Sequence, residues 1–141
     1  MTRDEIHALF ARRHRLWNQH DASGLAADHL ETGVVESPLA GGAMTGAAAI
    51  ATVYQKLFDT FTDLRLEQEE LLIDGDKVAV LATVTGTDHG GFMGVAPTGR
   101  TMRVRVAFYY QLQDGRIAHE RRVYDFSGVL IQIGTLKAKP V

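Results

Sequence analysis

The chain reads as an α+β fold on three observations. Apolar residues recur at helical spacing in two stretches of the first half. Alternating, β-rich runs dominate the second half. Tight turn signals such as Asp74-Gly75-Asp76 and Asp114-Gly115 join those runs. Helices first and antiparallel strands after predict helices packed on one face of a curved, mostly antiparallel sheet.

Thr2 and Glu5 form a capping box at the start of the first helix. Ile6, Leu9, Phe10, Arg13, Leu16 and Trp17 share one stripe, which sets a helix over about Arg3 to Gln19. Asn18 to Ser23 is a polar break, and Asp21 or Ser23 caps a short second helix holding Leu25, Ala26 and Leu30. Val34 and Val35 read as a short strand, stopped by Pro38 and a Gly41-Gly42 loop. Ala47 to Phe61 is a third helix, with Ile50, Val53, Tyr54, Leu57, Phe58 and Phe61 on its stripe. Leu64 to Ile73 and Val78 to Thr87 are strands about the Asp74-Gly75-Asp76 turn. A glycine-rich loop runs from Gly90 to Gly99. Ser127 to Ile133 is a final short helix with Gly134 as C-cap, and a polar tail from Thr135 is expected to fray.

The remaining hairpin, Arg103 to Gln113 and Ile117 to Phe126, carries the most chemistry. With Asp114-Gly115 as its turn, unbroken alternation sets Tyr110 opposite His119, Phe108 opposite Arg121, Val106 opposite Val123 and Val104 opposite Asp125. The core face is then Met102, Val104, Val106, Phe108, Tyr110, Leu112, Ile117 and Val123. His119, Arg121 and Asp125 stand on it as well. Ionisable groups on an apolar face are costly unless paired or used, so this arrangement predicts a pocket. Arg103, Arg105, Gln111, Gln113, Arg116, Glu120 and Arg122 fall on the opposite face, which reads as solvated or as a polar contact with another sheet.

Bulk properties narrow the function classes. At 141 residues with 45% hydrophobic content, the chain suits one domain spanning residues 1–141. The net charge of −2 gives no basic footprint for nucleic acid. The absence of cysteine excludes disulfides, zinc–thiolate sites and thiol catalysis. No long apolar run signals a membrane span or leader, so a cytoplasmic protein is the expectation. His14, His20 and His29 lack a metal-binding spacing, and no serine sits in a nucleophile–base constellation. The 90–99 loop is not followed by a helix, which excludes a phosphate-binding reading.

Several segments, in order, resemble the SnoaL-like polyketide cyclases of the cystatin-like α+β roll superfamily, which includes ketosteroid isomerases. They are Gly46-Ala47-Ala48-Ala49-Ile50, Phe61-Thr62-Asp63-Leu64, Asp74-Gly75-Asp76-Lys77-Val78, Thr85-Gly86-Thr87, the stretch Gly90 to Arg100, Asp114-Gly115-Arg116-Ile117, and the stretch Asp125 to Gly134. The resemblance implies a cone-shaped α+β barrel whose open end is a pocket, a homodimer, and ring closure by intramolecular aldol condensation without metal or organic cofactor. It places the acid/base at Asp125. Helix capping is the competing role for that residue. His119 is a second acid/base or a core histidine. Arg121 is an oxyanion-stabilising group or the ion-pair partner of an acid such as Asp28 or Glu36. By family position Trp17, Tyr54, Phe58, Phe61, Phe92 and Met93 join Phe108, Tyr110 and Val123 as pocket walls. The family carries Trp at Arg121 and often His at Asp88, departures that bear on the substrate. The implied ligand is a small hydrophobic molecule with carbonyl groups, either cyclised or isomerised, or bound by a non-catalytic module. The outer face around Tyr109, with Arg103, Arg105, Gln111, Gln113 and Glu120, is the expected dimer surface.

Overall fold

The computed structural model describes residues 1–139. Four helices lie against one six-stranded sheet. Helix α1 spans Arg3–Gln19 behind the Thr2–Glu5 capping box, and α2 spans Ala22–Ala27 capped by Asp21. Strand β1 runs from His29 to Ser37, a 3-10 turn covers Pro38–Ala40, and β2 runs from Gly42 to Thr45. Helix α3 is Ala47–Thr60. Strands β3 (Arg65–Asp74), β4 (Lys77–Thr87), β5 (Thr101–Gln113) and β6 (Arg116–Val123) follow, then α4 (Phe126–Gln132). None of the described helices is long and apolar enough to cross a membrane. Residues Thr135–Lys139 continue the chain without helix or strand, and the final two residues of the tail expected to fray, 140 and 141, lie outside the described part.

The strand order is β2-β1-β6-β5-β4-β3, and every neighbouring pair is antiparallel except β1 with β6. The sheet is therefore mixed. It has two free edges and does not close into the barrel that the family resemblance implies. Residue 30, placed on the second helix by pattern, belongs to β1, and β2 replaces part of the expected glycine loop.

The packed face of the sheet meets α1 and α3. Ile6, Phe10, Trp17, Ile50, Tyr54, Phe58, Phe108, Tyr110 and Ile117 are all buried in one core. α1 also protects an edge. Asn18 Nδ2 donates to the Leu66 carbonyl at 3.0 Å, and its Oδ1 accepts from the Leu66 N–H at 2.8 Å. His14 and His20 hold the carbonyls of Leu66 and Leu64 at 3.0 and 2.8 Å. Backbone groups of edge strand β3 are thereby occupied by side chains rather than left open to another strand.

The turn of the β5–β6 hairpin forms as the sequence predicts, with Asp114 and Gly115 both at positive φ, 52° and 75°. Leu112 pairs with Ile117. The ladder then slips: Gln111 pairs with His119, Tyr110 with Glu120, Tyr109 with Arg121, Phe108 with Arg122 and Ala107 with Val123. Ala118 is the extra residue of a bulge. Because side chains alternate, one inserted residue exchanges the faces of everything after it. The expected pairings of Tyr110 with His119, Phe108 with Arg121 and Val106 with Val123 are therefore corrected. Glu120 and Arg122 point into the core; His119, Arg121 and Val123 point out.

The cause lies at the β1–β6 junction. The Ile117 N–H donates to the Asp28 carbonyl at 2.8 Å, and β1 itself shifts register between His29 and Val34. Gly33 sits in this irregularity. A Cβ there would lie 2.8 Å from the Leu30 carbonyl oxygen and 3.0 Å from that of Ile117. Glycine lets the two backbones approach, and β6 bends to meet a parallel neighbour.

Candidate active site: an apolar cavity ending on a guanidinium

Between the sheet, α1, α3 and α4 lies a cavity that encloses, with its mouth, about 490 Å³, of which about 50 Å³ admits the centre of a water molecule. The accessible part is small because the walls stand close together. Its walls are mostly apolar. Trp17 comes from α1, Leu57 and Phe61 from α3 and its cap, Val84 from β4, Val104, Val106 and Phe108 from β5, and Val129 from α4. Phe92 closes one side, and Leu39 and Tyr124 flank another.

Phe92 is delivered by the glycine-rich loop. Asp88, buried at its base, accepts from the N–H groups of Gly91 and Thr98, both at 3.0 Å, and from the Thr98 hydroxyl at 3.1 Å. Gly91 has φ 86°, and a Cβ there would sit 2.5 Å from the Val95 carbonyl oxygen. Asp88 and Gly91 together fix the loop so that Phe92 packs against Phe61 and Phe126.

Two ionisable side chains touch the cavity, Arg122 and Tyr124. Arg122 is 6% exposed and tightly placed. Its guanidinium lies over the rings of Tyr54 and Trp17, 4.6 and 5.2 Å from their centroids. Its Nε donates to Glu120 Oε2 at 2.8 Å. Nη2 is also 2.8 Å from that oxygen, but at an angle that makes no second hydrogen bond. Burial works against the Arg122 charge, yet Glu120 more than compensates and keeps the group firmly protonated.

Glu120 is fully buried and saturated with donors. Its Oε1 accepts from the Tyr54 hydroxyl at 2.6 Å and from Arg13 Nη2 at 3.2 Å, and it faces His29 Nε2 at 3.2 Å. Burial alone would raise its pKa. Arg122, the His29 contact and Arg13 outweigh burial and hold the carboxyl well below the usual carboxylate range. Tyr54 is pushed the other way, first by burial and then by Glu120, so it stays a phenol and a donor. Arg13 continues the network to Asp28 at 2.9 Å, and Asp28 also pairs with Arg12 near the surface.

Tyr124 is half-buried beside Arg122. Burial raises its phenol pKa, and its hydroxyl lies against Ser37 and the Leu39 backbone. The lining therefore offers a fixed cation and a neutral phenol at one end of an apolar slot. Such a pair can bind and stabilise negative charge developing on a substrate oxygen.

Four of the nine residues expected as walls line this cavity: Trp17, Phe61, Phe92 and Phe108. Tyr54, Phe58 and Tyr110 are buried in the adjoining core, where Tyr54 and Tyr110 flank the charged network. Met93 is 67% exposed at positive φ, and Val123 is 67% exposed on the outer face, so neither is a wall. His119 and Arg121, expected inside, lie on the outer face, with Glu36 Oε2 at 3.0 Å from His119 Nε2 and 2.8 Å from Arg121 Nε. That is the ion-pair partner considered for Arg121. Glu120 and Arg122, expected outside, are buried. Asp125 is exposed and caps α4, accepting from the Gly128 N–H at 2.9 Å and the Ser127 hydroxyl at 3.1 Å. Among the described residues no cluster of three or more His, Asp or Glu could hold a metal ion.

The network residues Arg13, Glu120 and Arg122 left one sequence signal. Arg13 stands in the apolar stripe of α1, a place for a paired arginine rather than a solvated one.

The family description that matches this chain is SnoaL-like polyketide cyclase, over residues 8–133. No curated protein matches. Among solved structures, AclR of Streptomyces galilaeus, a proposed hydroxylase, is similar with a TM-score of 0.83 and 27% identity, covering 99% of this chain and 91% of its own. A proposed SnoaL-like polyketide cyclase of Jannaschia sp. CCS1 has a TM-score of 0.77 at 23% identity, covering 94% and 93%. IdmH of Streptomyces antibioticus, a proposed polyketide cyclase, has a TM-score of 0.72 at 24% identity, covering 93% and 96%.

Proposed function

Because the chain belongs to the SnoaL-like polyketide cyclase family, we propose that it is a pocket enzyme acting on a small, largely apolar carbonyl compound. It cyclises or isomerises this compound by proton transfer, without metal or organic cofactor. The observation that carries the reading is the apolar cavity ending on Arg122, with Tyr124 beside it. In an intramolecular aldol step, a proton leaves the carbon next to one carbonyl. The enolate carbon then bonds to a second carbonyl carbon, whose oxygen takes up a proton. Arg122 stabilises the enolate oxygen among apolar walls, and Tyr124 donates to the oxygen that becomes a hydroxyl. Asp125, at the family's acid/base position, supplies the base in this reading by leaving its cap at the end of β6.

One observation favours a second reading, a binding module without catalysis: the cavity lining carries no free carboxylate or imidazole. Hydrogen–deuterium exchange separates the two. Enolisable β-ketoesters of increasing ring number are incubated with the protein in D2O. Exchange at the α-carbon well above buffer, reduced at least tenfold in Asp125→Asn and Arg122→Met, supports the enzyme. Ligand binding without exchange for any compound supports the module.

A further inference from the structure

Five charged side chains form a line of alternating sign from the surface into the cavity: Arg12, Asp28, Arg13, Glu120 and Arg122. Each carboxylate lies between two guanidinium groups, so both ends of the line are cations. The Arg12 end is 44% exposed, and water screens it. The Arg122 end is buried and faces apolar walls. Its Nε is the one donor with a hydrogen-bond acceptor among the described residues, and Nη2 is buried without one. Nε and Nη2 both lie 2.8 Å from Glu120 Oε2, which leaves Nη1 as the nitrogen of the guanidinium not engaged by that carboxylate. The groups that surround it are Glu120, the rings of Trp17 and Tyr54, the phenol of Tyr124 and, more distantly, the phenol of Tyr110. None supplies a second negative charge.

We infer that the cavity takes a ligand with one anionic oxygen edge, an acidic enol, phenol or carboxyl group on a flat apolar body, which docks on Arg122 and ends the alternation with a negative charge. This rests on the proposed pocket reading and adds the charge of the ligand to it. Charge-assisted N–H···O⁻ bonds are roughly twice as strong as neutral ones, and a dry site enlarges the difference. The planar fork of the guanidinium suits two oxygens on one edge, as in a hydroxyquinone or a carboxylate.

The test compares 2-hydroxy-1,4-naphthoquinone with its 2-methoxy ether, two probes of nearly equal shape. Binding is read from quenching of Trp17, the single tryptophan and part of the wall. At a pH above the hydroxyquinone's own pKa, the anion is expected to bind at least tenfold tighter than the ether. Arg122→Lys keeps the preference, and the paired variant Arg122→Met with Glu120→Gln erases it. Equal affinity for both probes overturns the anion assignment and leaves a pocket for neutral ligands. Quenching by neither overturns the anion site together with the pocket reading. If the paired variant does not fold, the comparison of the two probes on the unmodified protein still decides.

Discussion

Arg13 and Arg122 hold the carboxylate of Glu120 from its two oxygens, Arg13 Nη2 at 3.2 Å from Oε1 and Arg122 Nε at 2.8 Å from Oε2. All three side chains are buried. The worth of this arrangement is asymmetric, because desolvating charges is costly while leaving one unpaired is costlier. Glu120→Ala is expected to destabilise the fold by about 3–5 kcal/mol. Replacing the group together, Arg13→Met, Glu120→Leu and Arg122→Met, is expected to cost much less. Urea unfolding of the two variants checks the order.

The same carboxylate sets an acid limit. Its pKa is lowered in the fold, so its contribution is complete above the unfolded value of about 4.3 and drains away as pH falls below that toward the folded value. Stability measured by denaturant titration should hold down to about pH 4.5 and fall beneath it. In Glu120→Gln this segment of the profile should be flatter. A profile of unchanged slope would mean that other carboxylates dominate acid unfolding.

Asp125 offers a clean division between roles. As a cap it is replaceable by Asn at almost no cost, while Ala costs roughly 0.5–2 kcal/mol. As the proton-transfer group it is not replaceable by Asn, and the rate drops on the order of a hundredfold. Thermal unfolding and the exchange assay on Asp125→Asn read the two roles independently. Gly128→Ala adds a structural check. A Cβ there would lie 2.2 Å from an Asp125 carboxylate oxygen, so this variant should push the carboxylate off the cap and lower the melting temperature while keeping a group that can transfer a proton.

The outer sheet face tests assembly. Val123 is 67% and Leu81 39% exposed there, beside the Glu36–His119–Arg121 cluster. We expect a homodimer through this face. Val123→Glu should shift sedimentation from dimer to monomer while leaving the fold intact by circular dichroism. A protein that sediments as a monomer before mutation rejects the assembly.

Most of the architecture is legible in the sequence because its signals are local. The capping box starts α1, the stripe from Ile50 to Phe58 sets α3, and Asp114-Gly115 sets the hairpin turn. The site is less legible because it depends on one non-local event. Tyr110 faces Glu120 rather than His119 only because Ala118 bulges where β6 meets a parallel β1. Nothing in the hairpin's own residues announces that meeting. Pattern alone therefore brings the right apolar wall from β5 and the wrong polar residues from β6. The Arg13 signal points to the correct answer, since a buried cation on α1 needs a buried acid opposite, and Glu120 is the residue that the corrected register supplies.

The bulge at Ala118 also makes the pocket's chemistry depend on how a single residue pairs. If Ala118 paired regularly with Gln111, His119, Arg121 and Val123 would project inward, and Glu120 and Arg122 would turn to solvent. An in-frame deletion of Ala118 would instead remove the bulge and keep the interior, because His119 would follow Ile117 directly and still stand opposite Gln111. In the regular register an apolar slot with a fixed guanidinium would become one bearing an imidazole and a differently placed arginine. Arg13, stranded without its acid, opposes that slip. A lineage could cross between the two interiors only by changing α1 and β6 together, so the helix acts as a lock on which set of side chains the sheet presents.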